Sequence, residues 1–202
     1  MITYPSIPRK GIDVPYYLFD KIDGSNIRAE FSLKKGFHRF GTRQRLLSDD
    51  SGPFLNQSKT LIEAYDEKIR AIFKEQRWEQ GVLFFEFFGE HSFAGSHVEG
   101  DAFQVSLIDI HLHKKGFLPP KEFLTIFDNQ IPTPTFLGIS KLTKPLIEQI
   151  RKRELKGIHF EGVVGKAQAK NDILRCKVKT QDWLDKLKHY CGDNLDLYEQ
   201  LK

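Results

Sequence analysis

Apolar and polar residues alternate from Ile27 to Leu33, with Ile27, Ala29, Phe31 and Leu33 on one side and Arg28, Glu30 and Ser32 on the other. A period of two is that of a half-buried strand. The preceding YYLFDK (16–21) is also extended, Lys34-Lys35-Gly36 supplies a turn, and GFHRFGTRQ (36–44) returns as a hairpin partner. Between Ser58 and Trp78, Leu61, Ile62, Tyr65, Ile69, Ile72 and Phe73 recur every three or four residues. That spacing predicts one amphipathic helix starting near Ser58 or Thr60. VLFFEFFG (82–89), apolar on both faces, predicts a central strand, and FQVSLIDIHL (103–112) another.

Pro119 and Pro120 open a short predicted helix ending at Phe127, and TPTF (133–136) is too proline-rich for a central strand. A second amphipathic helix is predicted from Lys144 to Leu155. HFEGVVGK (159–166) and ILRCKVK (173–179) are two further extended segments around the polar turn QAKND, and a last helix takes Thr180 as N-cap and Gly192 as stop. Because strands and helices do not alternate regularly, the pattern implies an α+β fold with largely antiparallel sheets flanked by helices.

A chain of 202 residues is expected to form one large domain, and 40% hydrophobic residues exclude global disorder. The net charge of +4 suits a polyanionic partner without requiring one. Cys176 and Cys191 are too few for a disulfide scaffold and lack zinc-site spacing, which implies a reducing, cytoplasmic setting. No apolar run approaches the roughly 18 residues of a membrane span, so no membrane partner is expected. Neither G-x-G-x-x-G nor G-x-x-x-x-G-K-[ST] occurs, so a bound nucleotide would be held by side chains.

Four stretches carry candidate chemistry. Lys21-Ile22-Asp23-Gly24-Ser25-Asn26 joins two predicted strands, with Lys21 and Asp23 on one face; taken alone it also reads as an ordinary D-G hairpin turn. Glu86 stands inside F-F-E-F-F, where a lone carboxylate must find a cation or several donors. It is either half of a structural ion pair or an acceptor for ligand hydroxyls. Glu161 opens E-G-V-V-G-K, and Lys177 and Lys179 share one face of the strand that follows. Two like charges so close either point to solvent or share an anion. The pair His111 and His113, and His91 and His97 around a glycine-containing loop, lack further ligands at zinc-site spacing.

In their order and spacing, K-x-D-G-x-N, F-F-E-F-F-G, E-G-V-V-G-K and K-V-K resemble the motifs of the covalent nucleotidyltransferases, the ATP-dependent DNA and RNA ligases and mRNA capping enzymes. The resemblance covers about Tyr16 to Leu187. Asn26, where DNA ligases and capping enzymes usually carry arginine, points to the RNA ligase 2 branch. It implies an ATP-grasp-like ligase domain with Lys21 as the nucleophile that becomes a lysyl-adenylate, and Asp23 and Glu161 as carboxylates for magnesium, with manganese able to substitute. It further implies that Glu86 meets the ribose hydroxyls, Lys177 and Lys179 the α-phosphate, and Arg43, with Arg45 assisting, the ribose and phosphate. Adenine would be read by the backbone at Asp20 and Ile22, and Asn26 would act in sealing RNA ends. Lys21 must be neutral to attack, so Lys177, Lys179 and a magnesium ion together are expected to lower its pKa.

Two departures stand out. The family usually stacks an aromatic on the base where this chain has Ile108, leaving that role to Ile108 or to nearby Phe103. Few residues follow Lys179, so the expectation is a single adenylyltransferase domain over residues 1–202, without an OB or helical second domain and with a partner protein as one possible source of the missing part. The implied activity is sealing of RNA 5′-phosphate to 3′-hydroxyl ends. The rivals are a DNA-joining or guanylylating relative and a non-sealing module that binds nucleotide or RNA ends.

Overall fold

A computed structural model describes residues 1–9, 11–48, 51–90, 92, 100–170 and 172–202, apart from the side chain of Phe54. His91 and His97 lie outside the described residues.

Two antiparallel sheets face each other, and helices cover their outer sides. The first has the order β7-β1-β8-β9, built from β7 (Phe136–Lys141), β1 (Pro15–Asp20), β8 (Gly162–Gln168) and β9 (Ile173–Lys179). The second, β3-β2-β4-β5-β6, is built from β3 (Gly36–Thr42), β2 (Ser25–Ser32), β4 (Gln80–Phe88), β5 (Gln104–Leu112) and β6 (Gly116–Phe117). The predicted α+β class is what the chain forms. β7 follows Pro132 and Pro134 and lies at a sheet edge, where a proline-rich approach interrupts no central ladder.

Period-two alternation decides which side chains reach the space between the sheets. In the first sheet Tyr16, Leu18, Val163, Cys176 and Val178 pack outward against α4 (Lys144–Arg151) through Ile150. Phe19, Val164, Lys166, Lys177 and Lys179 therefore point inward. In the second sheet Ile27, Ala29, Phe31, Phe85, Phe87 and Leu107 form the main core with Ile62 of α1 (Pro53–Glu63), Ile69, Ile72 and Phe73 of α2 (Asp66–Glu75) and Phe123 and Phe127 of α3 (Pro120–Phe127). Asn26, Glu86 and Ile108 face inward instead.

The helix expected over residues 58–78 is two helices. It starts earlier, at Pro53, because proline at the first helical position gives up only an N–H that has no partner there. It breaks at Ala64 and Tyr65, where Tyr65 leaves helical geometry and donates its N–H to Ile62 at 3.0 Å. Asp66 then accepts from the backbone of Phe37 at 3.0 Å and pairs with Arg70 at 2.9 Å, tying α2 to β3. Apolar spacing alone does not reveal such a break, since both helices keep one buried face. The final helix follows the reading: α5 (Gln181–Cys191) begins at Thr180, whose hydroxyl accepts from Trp183 N at 3.2 Å, and stops at Gly192. A short α6 (Leu195–Leu201) succeeds it. No helix among the described residues is long and apolar enough to cross a membrane.

Candidate active site

The loop from Lys21 to Gly24 crosses from the first sheet to the second at the mouth of the space between them. The N–H of Lys21 donates to Gly162 O at 2.9 Å, and that of Asp20 to Thr135 O at 2.9 Å, so the strand geometry carries on to the lysine. Gly24 is required because a Cβ there would lie 2.5 Å from Phe87 O. Gly162 has φ +142°, and a Cβ would meet Val178 O at 2.0 Å. Glu161 is thereby held against the end of β9 by a residue only glycine can follow.

Lys21 Nζ donates to Glu161 Oε2 at 2.8 Å, and Lys179 Nζ pairs with the other oxygen, Oε1. Residues 140 and 18 positions away from Glu161 thus share one carboxylate. Lys179 Nζ also lies 3.2 Å from the ring centroid of Trp183, whose Nε1 donates to Asp23 Oδ1 at 3.3 Å. Burial drives the Lys21 pKa down, but Glu161, Glu86 and Asp23 outweigh it and the net shift is upward. The lowering was expected from magnesium together with the two lysines, and the lysines by themselves do not produce it. The nearest groups to the ammonium are carboxylates, and Lys177 and Lys179 spend part of their field on Glu161. The depressed lysines are the neighbours: burial, opposed by Glu161 and reinforced by Lys21, takes Lys179 to about 8, and burial with Lys21 lowers Lys177. Glu86 is raised to about 7, chiefly by burial and against the pull of Lys21.

A cavity of about 330 Å³ opens between the sheets, within the usual size of small-molecule sites. Lys21, Glu86, Lys177, Lys179, Arg43 and Asn26 line it, as do Asp20, Ile22 and Ile108. Ile108, not Phe103, occupies the wall; Phe103 packs on Phe87 with centroids 5.4 Å apart. Arg43 reaches Ser6 Oγ at 2.7 Å. Arg45 lies outside the cavity, exposed on the turn that pairs Thr42 N with its carbonyl at 2.8 Å. Asp23 and Glu161 line a smaller cavity of about 170 Å³ that shares Asp20, Lys21 and Ile22 with the first. Asp20 turns its carboxylate away to accept from His159 N at 2.9 Å, leaving its backbone beside the cavity.

Whether a nucleotide suits this cavity can be tested on its unsatisfied groups. Asn26, Glu86 and Ser106 are direct cross-strand partners on β2, β4 and β5, and so share one face. Both amide atoms of Asn26 and the Ser106 hydroxyl are buried without a hydrogen-bond partner. Orphaned buried groups cost about 1–3 kcal/mol each, and a ligand rich in hydroxyls offers the partners that Asn26, which lines the cavity, lacks. A divalent ion is a different matter. Among the described residues no three His, Cys, Asp or Glu side chains are placed to hold one. Asp23 and Glu161 therefore fit magnesium only as two carboxylates acting with retained waters and nucleotide phosphates, which is how that ion usually binds.

The floor of the cavity was not anticipated. Lys166, buried, donates to Ile108 O and pairs with Asp109 Oδ2 at 3.2 Å. Arg175 and Tyr4 reach the same oxygen, each at 3.0 Å. Period two from Gly162 puts Lys166 on the cavity face, a signal present in the sequence. Nothing local marks Tyr4 as its neighbour.

With this geometry in view, similarity to known proteins is specific. A family model for RNA ligases matches residues 14–181. The chain belongs to the RNA ligase family. No curated protein matches it. Among solved structures it is similar to an Aquifex aeolicus protein assigned as an ATP-dependent DNA ligase, at 20% identity and TM-score 0.64, over 99% of this chain and 57% of that one. It is also similar to the Naegleria gruberi RNA ligase: a variant solved with AMP and manganese gives 16% identity and TM-score 0.63 over 92% and 58% of the two chains. The same enzyme with pyrophosphate gives 18% and 0.59 over 88% and 52%. These likenesses show a ligase nucleotidyltransferase fold. The chain spans little more than half the length of each of these solved proteins.

Proposed function

We propose that this family member is an ATP-dependent RNA ligase that works through a lysyl-adenylate on Lys21. The observation carrying the reading is the convergence of Lys21, Glu86, Lys177 and Lys179, from three strands or their ends, on one cavity, with Glu161 bridging two of the lysines.

Glu86, flanked by the unsatisfied Asn26 and Ser106, accepts from the ribose hydroxyls, and the base lies toward Ile108, read by the backbone at Asp20 and Ile22. Lys177 and Lys179 hold the α-phosphate, with Arg43 on the ribose and phosphate side. Lys21 starts as an ammonium and must lose a proton; Glu161, at 2.8 Å, is the acceptor in reach. The free amine then attacks the α-phosphorus, the N–P bond forms, and the bridging P–O bond breaks with its electron pair leaving on pyrophosphate. Pre-placed cations offset the negative charge that builds on the α-phosphate oxygens. Magnesium, held by Asp23 and Glu161 with the phosphates, supplies further charge neutralisation when bound, and manganese is chemically able to replace it. AMP then passes to an RNA 5′-phosphate, and a 3′-hydroxyl displaces AMP, with Asn26 and Arg45 serving these RNA-dependent steps.

The deciding measurement uses α-labelled ATP. The native chain should acquire a protein–AMP band and Lys21→Ala should not; a labelled Lys21→Ala band removes the nucleophile from its role. Labelled GTP, then nicked duplexes of RNA, DNA and hybrids, separate RNA sealing from the guanylylating and DNA-joining rivals. Adenylylation without sealing of any end supports the binding-module rival.

A further inference from the structure

Trp183 touches two charged groups of the site at once. Its indole Nε1 donates to Asp23 Oδ1 at 3.3 Å, and the Lys179 ammonium lies over its ring, 3.2 Å from the centroid. Asp23 belongs to the loop that carries Lys21, and Lys179 ends β9, so one side chain joins the nucleophile loop to the lysine pair.

The indole is itself held in place. Trp183 stands in the first turn of α5, where its backbone N–H donates to Thr180 Oγ1 at 3.2 Å. Thr180 in turn donates its N–H to Glu161 O at 3.0 Å and its hydroxyl to Phe160 O at 2.6 Å. Because Lys179 pairs with the Glu161 carboxylate, the contacts run in a closed circuit through Trp183, Thr180, Glu161 and Lys179. Around the buried indole, Leu187, Cys191 and Phe160 form a small apolar cluster apart from the cores of the two sheets. Packing alone gives a buried tryptophan a reason to find an acceptor for its N–H. It gives no reason to place an ammonium on the ring face.

Both contacts meet a need of the site. Lys179 lines a second cavity, of about 500 Å³, as well as the nucleotide cavity, so a flexible four-carbon stem has room to swing. An aromatic face attracts the ammonium through its quadrupole, yet brings no negative charge to compete with a phosphate for it. Asp23 lies between strands, and an indole N–H, which donates and cannot accept, fixes one of its carboxylate oxygens. We infer that Trp183 is a positioning residue for adenylylation: its ring keeps the Lys179 ammonium with Glu161 and Lys21, out of the second cavity, and its N–H fixes the Asp23 carboxylate on the nucleophile loop. The inference rests on the adenylylation reading and adds to it a residue of α5, beyond the last of the motifs that resemble the family.

The first test needs no activity. The chain has two tryptophans, so a nitrogen–proton correlation spectrum of the full chain shows two indole peaks, and Trp183→Phe identifies its own by deleting it. Asp23→Ala should move the Trp183 peak and speed its exchange with solvent, and Lys179→Met should move it as well, while the Trp78 peak stays in place. Failure of either substitution to move the Trp183 peak overturns the inference. The second test follows lysyl-AMP formation against ATP concentration, at a temperature where each variant is folded. Trp183→Phe keeps a ring and loses the donor; it should lower the maximal rate on the order of tenfold with little change in KM. Trp183→Leu loses both and should lower the rate on the order of 100-fold, with KM for ATP raised because Lys179 is released. Leu187→Ala opens space in the same apolar cluster without removing either polar contact, and should keep both constants within about twofold of native. Native kinetics in Trp183→Leu overturn the inference, as does an equal loss in Leu187→Ala, which would make Trp183 a packing residue only. If the native chain forms no adduct, the adenylylation reading itself fails and the positioning role with it; an adduct in the native chain that is undiminished in the Trp183 variants sinks the inference alone.

Discussion

Two buried carboxylates in this protein each hold two cations, and they do different work. Asp109 sits among Lys166, Arg175 and Tyr4, all reaching one oxygen at 3.0 to 3.2 Å. Its cations are spent elsewhere as well: Lys166 on Ile108 O and on the rings of Phe19 and Phe123, Arg175 on Ile173 O and the ring of Phe117. Glu161 sits between Lys21 and Lys179, which face cavities. Lys166 and Tyr4 of the first cluster also line the nucleotide cavity, but three groups meet on one Asp109 oxygen and neither Asp109 nor Arg175 is a lining residue, so the protein itself supplies the partners of that anion. The second is open on one side, so a phosphate can draw the lysines away from their carboxylate without stranding a charge in the core. Whether an ion pair is scaffold or chemistry is decided here by what its cations can reach besides each other.

Substitution should separate the two. Asp109→Asn leaves Lys166 and Arg175 buried without their anion, a loss of about 3–5 kcal/mol, or on the order of 10 °C in Tm, measured by thermal melting. A Tm within 2 °C of native would mean that the cluster relaxes as the open one does. Glu161→Gln should do the reverse. Its lysines can turn to solvent in the cavities, so the melt should move little, while lysyl-AMP formation falls on the order of 100-fold through lost positioning and proton acceptance. Equal damage to stability would erase the distinction.

The smallest effect concerns Glu86, whose pKa, raised to about 7 by burial, lies above the 4.5 of an ordinary glutamate. For an acid raised on folding, the charged form is the disfavoured one. Stability is therefore greatest below pH 4.5 as far as this group is concerned, and declines as pH rises toward 7. Glu86→Gln should accordingly stabilise the free protein at pH 8, on the order of 2 kcal/mol, and be nearly neutral at pH 4.5. It should also raise KM for ATP at pH 8, where the native carboxylate is ionised and can accept from ribose. Native KM should rise as pH falls below 7. A stabilised variant with native KM would remove Glu86 from nucleotide binding.

Much of this was readable in one dimension because strands project side chains with a fixed period. The inward set Lys177 and Lys179, the core set Cys176 and Val178, and the Thr180 cap follow from local spacing, and the structure keeps them. Lys166 carried the same signal and received no role. The helix break at Ala64 and Tyr65 was not legible, because it depends on Asp66 finding the Phe37 backbone, 29 residues away. Nor was the sign of the Lys21 shift, which depends on which charges come closest.

The amino-acid sequence by itself determined the sheet faces, the charged residues offered as candidates for the site and the two glycines that let Lys21 and Glu161 approach, since these rest on residue type and on spacing along a strand. Only the tertiary structure decided which cation meets which carboxylate, that Tyr4 joins the Asp109 cluster, and that the β9 lysines line two cavities. Coulomb energies depend on distances of a few ångströms between segments up to 140 residues apart, and no pattern along a chain encodes those distances until the chain is folded.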